Sequence, residues 1–316
     1  HHAEHVLVAK RLPVAGDDMN VHSGSLADPQ PTTGKSRLAA TTTSGSLQPM
    51  IDTHVHVAHA DQTRYPRCAE TGLGSGWRDS ARPPTEQVAE ILASGIDRVV
   101  VVQALGVYGD DNRCAADTVA SDPTRMCLVA GLRVPAGVSE LRRLLSGLAM
   151  PASGVRLFGI GADPEWADGA DPLIEVCAAA AVTPVVTLFG HQLAGLSRLA
   201  ARHPELPIVV DHCGFPERGP GLAAAEAASN LVLKVTSHVL DHQPAPAVWL
   251  AALRDRVGAH RLCWGSDHPQ HPGTYAAKLT TVRRAVAGWS TADREQFLDG
   301  TAAQLFPPPV RPSRRC

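Results

Sequence analysis

The chain has 316 residues, of which 44% are hydrophobic, and a formal net charge of −2. A chain of this length can form one large core without the disulfides or structural metals that small domains need. Lysine and arginine do not form a basic stripe, so we predict that nucleic acid is not a partner. No apolar run reaches about 18 residues, so we predict no membrane-spanning helix and no membrane partner.

The seven cysteines are scattered and include no C-x-x-C pair. An odd number without framework spacing fits a reducing cytoplasm better than a disulfide scaffold. The N-terminus lacks the charged-then-apolar layout of a secretory signal. We therefore expect a cytoplasmic protein that acts on a small-molecule substrate. The sequence leaves the oligomeric state open, with a homo-oligomer as one alternative.

Residues 1–49 differ in composition from the rest of the chain. The stretch from Pro31 to Pro49 is rich in Ser, Thr, Gly and Ala and has no sustained apolar period. We predict a disordered tail over residues 1–49, with non-native residues or an over-extended start as the alternative. One folded domain is then predicted for residues 50–306, followed by a C-terminal tail at residues 307–316.

From residue 50 onward, short apolar runs alternate with amphipathic segments. Most runs are continuous in Val, Ile and Leu, as expected for parallel strands covered on both faces. The eight strand candidates are MIDTHVHV from Met50, RVVVVQAL from Arg98, MCLVAGL from Met126, SGVRLFG from Ser153, TPVVTLFG from Thr183, LPIVVDHCG from Leu206, NLVLKVTS from Asn230 and RLCWGSD from Arg261.

The segments between the strands have helical spacing of Leu, Val and Ala. Thr85 is the predicted cap of the first helix, and Gly95 its predicted end. Eight successive βα units predict an α/β fold of the (β/α)₈ type, a single-domain TIM barrel. An open doubly wound sheet is the alternative, but no strand is followed by G-x-G-x-x-G.

Strand one carries the strongest local signal, Asp52-Thr53-His54-Val55-His56. Alternate residues of a strand face the same side, so His54 and His56 are predicted to point together into the barrel mouth. Two imidazoles directed at one point can bind a divalent ion.

Further signals end strand six, in Asp211-His212-Cys213-Gly214, and strand eight, in Gly265-Ser266-Asp267. The carboxyl ends of barrel strands are where active sites form. An acid there, opposite two histidines, can ligate a metal ion and accept a proton from water. Asp267 is therefore the predicted base.

These motifs together resemble the amidohydrolase superfamily, in the group that begins directly with D-T-H-x-H. The resemblance covers nearly all of Met50 to Phe306 and includes VVVVQA, GVRLF, VVDHCGFP, RLCWGSDHP and FLDGTAAQLF. Within that group, the chain is most similar to the 2-pyrone-4,6-dicarboxylate lactonase branch and its sugar-lactonase relatives. The segment from Tyr108 to Cys114 is the more particular point of similarity.

The resemblance implies a role for each matching residue. His54 and His56 match the pair that ligates metal in the metal-dependent members. His212 matches a histidine that polarises the substrate carbonyl or shuttles a proton, so it joins Asp267 as a predicted catalytic residue. Arg156 matches an arginine expected near a substrate carboxylate.

Metal dependence is open at this point. Strand four has no obvious lysine, so a carboxylated-lysine binuclear centre is not expected. His191 follows strand five and is a ligand only if it lies on the strand. We expect either one divalent ion, zinc or manganese, on His54, His56, His191 and Asp267, or metal-independent chemistry in which the histidines supply the donors.

Polar residues elsewhere on the expected face of the barrel are candidates for substrate contact. A second clamp for a dicarboxylate would have to come from Arg64, Arg113 or Arg133. Besides Arg156, the predicted substrate-binding residues are Gln103, Tyr65, Tyr108, Asn112 and Arg113.

The residues and the resemblance together predict a hydrolase that opens a lactone of a small carboxylated substrate, with water activated by Asp267. A metal-dependent non-oxidative decarboxylase of the same superfamily is one alternative. A catalytically inactive barrel that acts as a binding protein is the other.

Overall fold

The computed structural model of the protein describes residues 48–68, 77 and 82–308. Eight parallel strands follow one another in a single sheet in sequence order, which confirms the predicted barrel. They are β1 Ile51–Val55, β2 Arg98–Val102, β3 Met126–Arg133, β4 Gly154–Phe158, β5 Thr183–Thr187, β6 Ile208–Val210, β7 Leu231–Thr236 and β8 Leu262–Gly265. Most of the two predicted tails, and residues 69–76 and 78–81 between β1 and β2, lie outside the described residues.

Helices separate the strands along the chain and pack around the barrel. Within the described ranges, no helix is long and apolar enough to cross a bilayer. The helices are α1 Pro84–Ala93, α2 Leu105–Tyr108, α3 Arg113–Ser121, α4 Val138–Gly147, α5 Asp171–Ala179, α6 Leu193–Arg202, α7 Leu222–Ala227, α8 Ser237–Asp241, α9 Pro246–Val257, α10 Tyr275–Ala285, α11 Thr291–Glu295 and α12 Thr301–Leu305.

The start of α1 differs from the sequence prediction. Helix α1 begins at Pro84, its cap residue is Pro83, and Thr85 already lies inside the helix. The predicted Thr85 cap is therefore wrong, because the fixed φ of proline suits the first helical position and sets the start one residue earlier. Gly95 follows the helix end with a φ of 89°, as a helix stop requires.

The barrel is closed between β1 and β8 by a few specific contacts. An isolated parallel bridge joins Val55 to His268, and the His56 amide donates to the His268 carbonyl over 2.8 Å. Asp52 adds side-chain contacts, since its Oδ1 accepts from the Ser266 amide at 2.8 Å and its Oδ2 from the Tyr275 hydroxyl at 2.9 Å. These contacts hold the end of β1, which carries the two histidines, next to the end of β8, which carries Asp267.

Inside the barrel, an apolar layer supports a polar one. The apolar layer contains side chains such as Val185, Val209 and Val232, and the C-terminal Phe306 packs against it. Two residues further along the same strands, the inward positions are Thr187, Asp211 and Lys234, all buried. The barrel interior therefore changes from apolar to polar toward the carboxyl ends of the strands.

A bulge in β1 decides which way its histidines face. Ile51 packs in the inner apolar layer, whereas Val55, four residues later, packs against the helices. Strict alternation would put both on the same face. Residues 52 and 55 pair with residues 99 and 101 of β2, so β1 contains one extra residue here. An extra residue reverses the facing of the later residues of the strand, which turns His54 and His56 inward.

Candidate active site

A cavity of about 450 Å³ lies at the carboxyl ends of the strands. Its inner wall includes His56, Arg156, His212 and Asp267, each at most 5% exposed. A second wall is aromatic, and further lining side chains are polar. The aromatic members are Trp77, Phe158, Phe189 and Phe215, and the polar ones are Arg218, His238, Gln270 and His271. The cavity thus combines buried ionisable groups with a planar apolar surface, as small-molecule sites do.

His54, His56 and Asp267 form one cluster in the inner wall. The Nε2 atoms of His54 and His56 are 3.2 Å apart. The Oδ1 atom of Asp267 lies 3.8 Å from the first Nε2 and 3.5 Å from the second. The structure thus brings together the strand-one and strand-eight groups that the sequence singled out.

The geometry of this cluster fits one divalent ion. Metal–ligand bonds of about 2.0–2.1 Å place the donors around a tetrahedral zinc roughly 3.3 Å apart, close to the separations here. Asp267 Oδ1 is buried without a hydrogen-bond partner among the described residues. His56 Nδ1 lies 2.9 Å from the Val102 carbonyl. Because a carbonyl only accepts, Nδ1 carries a proton, which leaves Nε2 as the ring atom that could ligate an ion.

Electrostatics keep Asp267 ionised. Burial alone would raise the pKa of this carboxyl, but the neighbouring imidazoles of His56, His212 and His54 outweigh burial and hold the pKa below its usual range. The backbone of Asp267 has a φ of 52°, a left-handed conformation that is unfavourable for a side-chain-bearing residue. Strained backbone of this kind concentrates at functional sites.

His212 lies on the opposite side of the cluster, at the end of β6. His212, Cys213 and Phe215 all have φ values between 51° and 55°, so the chain turns sharply here. The imidazole Nδ1 lies 2.8 Å from the Thr236 hydroxyl at the end of β7. Burial lowers the pKa of His212 to about 4, although Asp267 opposes this shift. His212 is therefore neutral at physiological pH.

Below this layer, Asp211 joins three strands in a buried ionic network. Its Oδ2 accepts from Arg156 Nε at 2.7 Å and from the Thr187 hydroxyl at 2.8 Å. Its Oδ1 forms an ion pair with Lys234 Nζ at 2.9 Å. Burial would raise the pKa of Asp211, but Lys234, His54 and Arg156 hold it well below the usual value. Arg156 is thereby fixed through Nε while its side chain lines the cavity.

Five residues predicted to bind substrate make contacts within the protein instead. Tyr65 donates to Asp117 at 2.6 Å, and Tyr108 accepts from the His59 amide at 2.8 Å. Gln103 donates to the carbonyls of residues 109 and 111, because it faces outward from β2 next to the inward Val102. The remaining two also bond locally: Asn112 to Asp110 and Gly131, and Arg113 to Asp111.

The five residues predicted to bind substrate do not line the cavity. Their positions therefore do not support the predicted substrate contacts. The same is true of the second clamp expected from Arg64, Arg113 or Arg133. Instead, Arg218 lines the cavity, with its side chain 62% exposed and its guanidinium 5.4 Å from the Phe189 ring.

His191 does not join the cluster. It lies in a 3₁₀ turn, Gly190–Gln192, after the end of β5, and its side chain is exposed. Within the described residues, the side chains placed to share an ion are His54, His56 and Asp267, and a second set of His54, Asp211 and His212. His191 belongs to neither, because the chain has left the strand before reaching it.

Sequence reasoning missed Lys234 and gave Asp211 no role of its own, although Asp211 opens the motif that ends strand six. The lysine lies within the apolar run NLVLKVTS, on a strand predicted to be covered on both faces. A charged residue in such a run requires a buried partner, which was the available signal. The sequence contains no comparable signal for Arg218 or for the aromatic wall of the cavity. These residues lie in the segments after the strands, at positions with no regular spacing.

Comparisons with known proteins agree with this architecture. An amidohydrolase family model matches residues 51–307. The L-fucono-1,5-lactonase of Burkholderia ambifaria is 30% identical over 252 residues, which cover 68% of this chain and 82% of that protein.

Solved structures show the same fold. One from Pseudomonas putida, assigned as a 2-pyrone-4,6-dicarboxylic acid hydrolase, has a TM-score of 0.66 at 24% identity, over 82% of this chain and 97% of that one. One from Acinetobacter baumannii with the same assignment and citric acid bound has a TM-score of 0.62 at 18% identity, over 81% and 98%. At these identities the likeness supports the fold alone.

Proposed function

Because this chain belongs to the amidohydrolase family, a family of hydrolytic enzymes, we propose that it hydrolyses the ester bond of a lactone ring. The observation that carries the proposal is the convergence of the ionised Asp267 with His56 and His212 in one cavity. The similarity to a lactonase over most of that protein's length supports a lactone as the substrate class. A cavity of about 450 Å³ suits a single small ring.

Asp267 is the group that takes the proton from the attacking water. Its lowered pKa keeps it ionised and able to accept, but also makes it a weak base. A divalent ion such as zinc or manganese, held by His54, His56 and Asp267, would supply the Lewis acidity that makes water a better proton donor. The deep position of Asp267, 5% exposed, limits competing contact with bulk solvent.

His212 is placed to stabilise the negative charge that develops on the carbonyl oxygen. When the Thr236 hydroxyl donates to Nδ1, the neutral ring carries its proton on Nε2. That N–H can donate to the carbonyl oxygen of a lactone bound in the cavity, a contact that strengthens as the oxygen becomes an oxyanion. His212 and Asp267 therefore act on the two reacting oxygens, one on the carbonyl and one on the water.

Arg156 and Arg218 favour a substrate that bears a carboxylate. Arg156 Nε is already used by Asp211 and Thr187, so only its terminal nitrogens are left to meet a substrate. Its fixed orientation avoids the entropy loss of ordering a flexible side chain on binding. Arg218 provides a second cation at the solvent-exposed part of the cavity, beside the aromatic wall.

The bond changes balance without a further reactant. Water adds to the carbonyl carbon as its proton passes to Asp267, and the ring C–O bond then breaks. The departing ring oxygen receives that proton and becomes a hydroxyl, so the product is an open-chain hydroxy acid and Asp267 is again ionised. Ionisation of this new acid releases one proton to the medium at neutral pH.

A panel of carboxylated and neutral lactones, assayed by proton release with a pH indicator, tests the proposal. We expect turnover of at least one lactone. Assays of released carbon dioxide on carboxylated substrates, run with the same preparation, test the decarboxylase alternative. A folded protein that hydrolyses none of the lactones, with or without added zinc or manganese, would contradict the proposed function.

A further inference from the structure

The segment from His212 to Arg218, between β6 and α7, carries two residues of the proposed reaction at its ends. His212 is placed to meet the carbonyl oxygen, and Arg218 lines the cavity as the second cation. All four residues from 212 to 215 have positive φ values. Left-handed backbone is unfavourable for residues that bear side chains, so contacts with the surrounding structure have to hold the segment in this shape.

Within the segment, two successive hydrogen-bonded turns connect its ends. The Phe215 amide donates to the His212 carbonyl over 2.8 Å, and the Arg218 amide donates to the Phe215 carbonyl over 2.9 Å. The Phe215 ring also packs against the His212 ring, with the two centroids 4.6 Å apart. Because the two turns share Phe215, a displacement of one turn also displaces the other.

Glu217 connects the second turn to α8. Its Oε1 atom lies 2.9 Å from His238 Nε2. Burial alone would raise the pKa of Glu217, but hydrogen bonds from His238 and from the Glu217 backbone outweigh burial and lower this pKa, so the side chain is a carboxylate. A carboxylate only accepts, so His238 Nε2 is the donor. The Glu217 and His238 side chains are 16% and 20% exposed, which limits the screening of this charge-assisted bond by solvent.

The contact at Glu217 is the second of two links between the ends of β6 and β7. The first is the 2.8 Å contact between His212 Nδ1 and the Thr236 hydroxyl. His238 follows Thr236 by two residues and provides the second link, and its ring lies edge-on to the Phe215 ring at 5.6 Å. Glu217 does not line the cavity, so it can affect a substrate only through the residues that it positions.

We propose that Glu217 is a positioning residue that, through His238, holds the segment 212–218 in the shape that places His212 at the carbonyl oxygen and Arg218 at the substrate carboxylate. In this role Glu217 is needed as a hydrogen-bond acceptor and its negative charge is not. The inference rests on the proposed function for the roles of His212 and Arg218. The shape of the segment does not depend on which reaction the protein catalyses.

Glu217→Ala and Glu217→Gln separate this role from a catalytic one. Alanine removes the acceptor, so we expect kcat to fall by about tenfold and KM for carboxylated lactones to rise by about tenfold, with little change in KM for neutral lactones. Glutamine keeps an acceptor oxygen and should restore most of both losses. Wild-type kinetics in the alanine variant would overturn the proposal. A glutamine variant as impaired as the alanine one would also overturn it, because the charge would then be the property that matters.

Glu226→Ala is the matched control. The Glu226 side chain is 19% exposed, and its Oε1 accepts from Arg256 Nε over 2.8 Å. This pair is comparable to the one at Glu217 but lies on α7 and does not line the cavity. We expect kcat and KM of the control to stay within about twofold of the wild-type values. An equal loss of activity in the control would show that Glu217 has no specific positioning role.

Hydrogen exchange measures the shape of the segment without a substrate. Mass spectrometry of a peptide that spans residues 211–219 reports the protection of the Phe215 and Arg218 amides, which both donate within the segment. We expect exchange at least about tenfold faster in Glu217→Ala than in the wild type or in Glu226→Ala, and restored protection in Glu217→Gln. Unchanged exchange in the alanine variant would refute the inference even in an active lactonase. Faster exchange that glutamine restores, in a protein that opens no lactone, would leave this inference standing while the proposed function fails.

Discussion

Asp267 Oδ1 lies 3.5 Å from His56 Nε2, although 210 residues separate the two in the chain. The bridge between Val55 and His268 makes this approach possible, because it closes the barrel beside the two side chains. The carboxylate is buried, ionised and without a hydrogen-bond partner among the described residues on that oxygen. Such an arrangement is unfavourable for stability alone and is typical of a site built for an ion or a reaction.

Asp267→Asn should abolish hydrolysis while preserving the fold. An amide cannot accept the water proton as a base, so we expect kcat to fall by about 10²–10⁴. The measurement is lactone turnover by proton release, with the circular dichroism spectrum as the check on folding. Asp241→Asn is the control, because Asp241 pairs with His271 beside the cavity without touching the cluster. Undiminished turnover in Asp267→Asn would show that another group is the base.

The Arg218→Ala substitution should weaken the binding of carboxylated substrates but not of neutral ones. Arg218 is exposed, and its contacts are the Phe189 ring and an ion pair with Glu217 over 3.8 Å, so its loss leaves the barrel intact. Losing a charge-assisted contact to a carboxylate worth about 1.5–3 kcal/mol should raise KM for carboxylated lactones by roughly 10–100-fold. KM for neutral lactones should stay unchanged. An equal increase in KM for both classes of lactone would mean that Arg218 does not bind the substrate carboxylate.

Arg156→Met should destabilise the protein as well as impair binding. Arg156 pairs with the fully buried Asp211 at 2.7 Å, so its removal leaves a buried carboxylate short of one partner. Breaking a buried pair costs about 3–5 kcal/mol, and we expect the lower end because Lys234 still faces Asp211. Urea unfolding gives the change directly, with Arg218→Ala as the exposed control. A loss below about 1 kcal/mol would contradict the structural role given to this pair.

Much of this site could be predicted because its ionisable side chains lie at the ends of strands. In a barrel, side chains that close successive strands share one face, so His54, His56, His212 and Asp267 could be grouped from their positions alone. His191 could not be judged in the same way. Its role depended on whether β5 continued beyond Phe189, and the boundary of an element is the least predictable part of it.

What could not be predicted depends on register and on local irregularities. Lys234 and Asp211 are 23 residues apart, and only the pairing of β6 with β7 brings their side chains together. The bulge in β1 contains no glycine or proline to mark it. Alternation correctly paired His54 with His56, but the bulge is the reason that this pair faces inward.

The stability of the metal-free protein should depend on pH through His212. Its pKa is about 4 in the folded protein and near 6.5 when exposed, so the fold favours the neutral ring. Between these values the unfolded chain binds more protons, and stability therefore falls as the pH is lowered from 6.5 to 4. The full effect is of the order of 3 kcal/mol. Below pH 4 both states are protonated and this contribution no longer changes.

Chelator-treated wild type and His212→Gln, unfolded in urea at several pH values, provide the measurement. Glutamine keeps a polar side chain but does not titrate. We expect the free energy of unfolding to vary less with pH in the variant over this range, since Thr236 then faces a neutral amide. Identical pH profiles would show that His212 is not buried as a neutral ring.

Thr236 should control the rate rather than substrate binding. Its hydroxyl is 2.8 Å from His212 Nδ1 and fixes which nitrogen presents a proton to the carbonyl oxygen. Thr236→Val keeps the shape but removes the donor, so the ring is free to adopt the other tautomer. Because losing the partner that orients a catalytic imidazole typically costs 10–100-fold in activity, we expect kcat to fall by about that factor while KM changes little. Thr236→Ser retains the hydroxyl and should restore most of the rate. A valine variant with wild-type kcat, or a serine variant as slow as the valine one, would show that the hydroxyl does not orient His212 for the reaction.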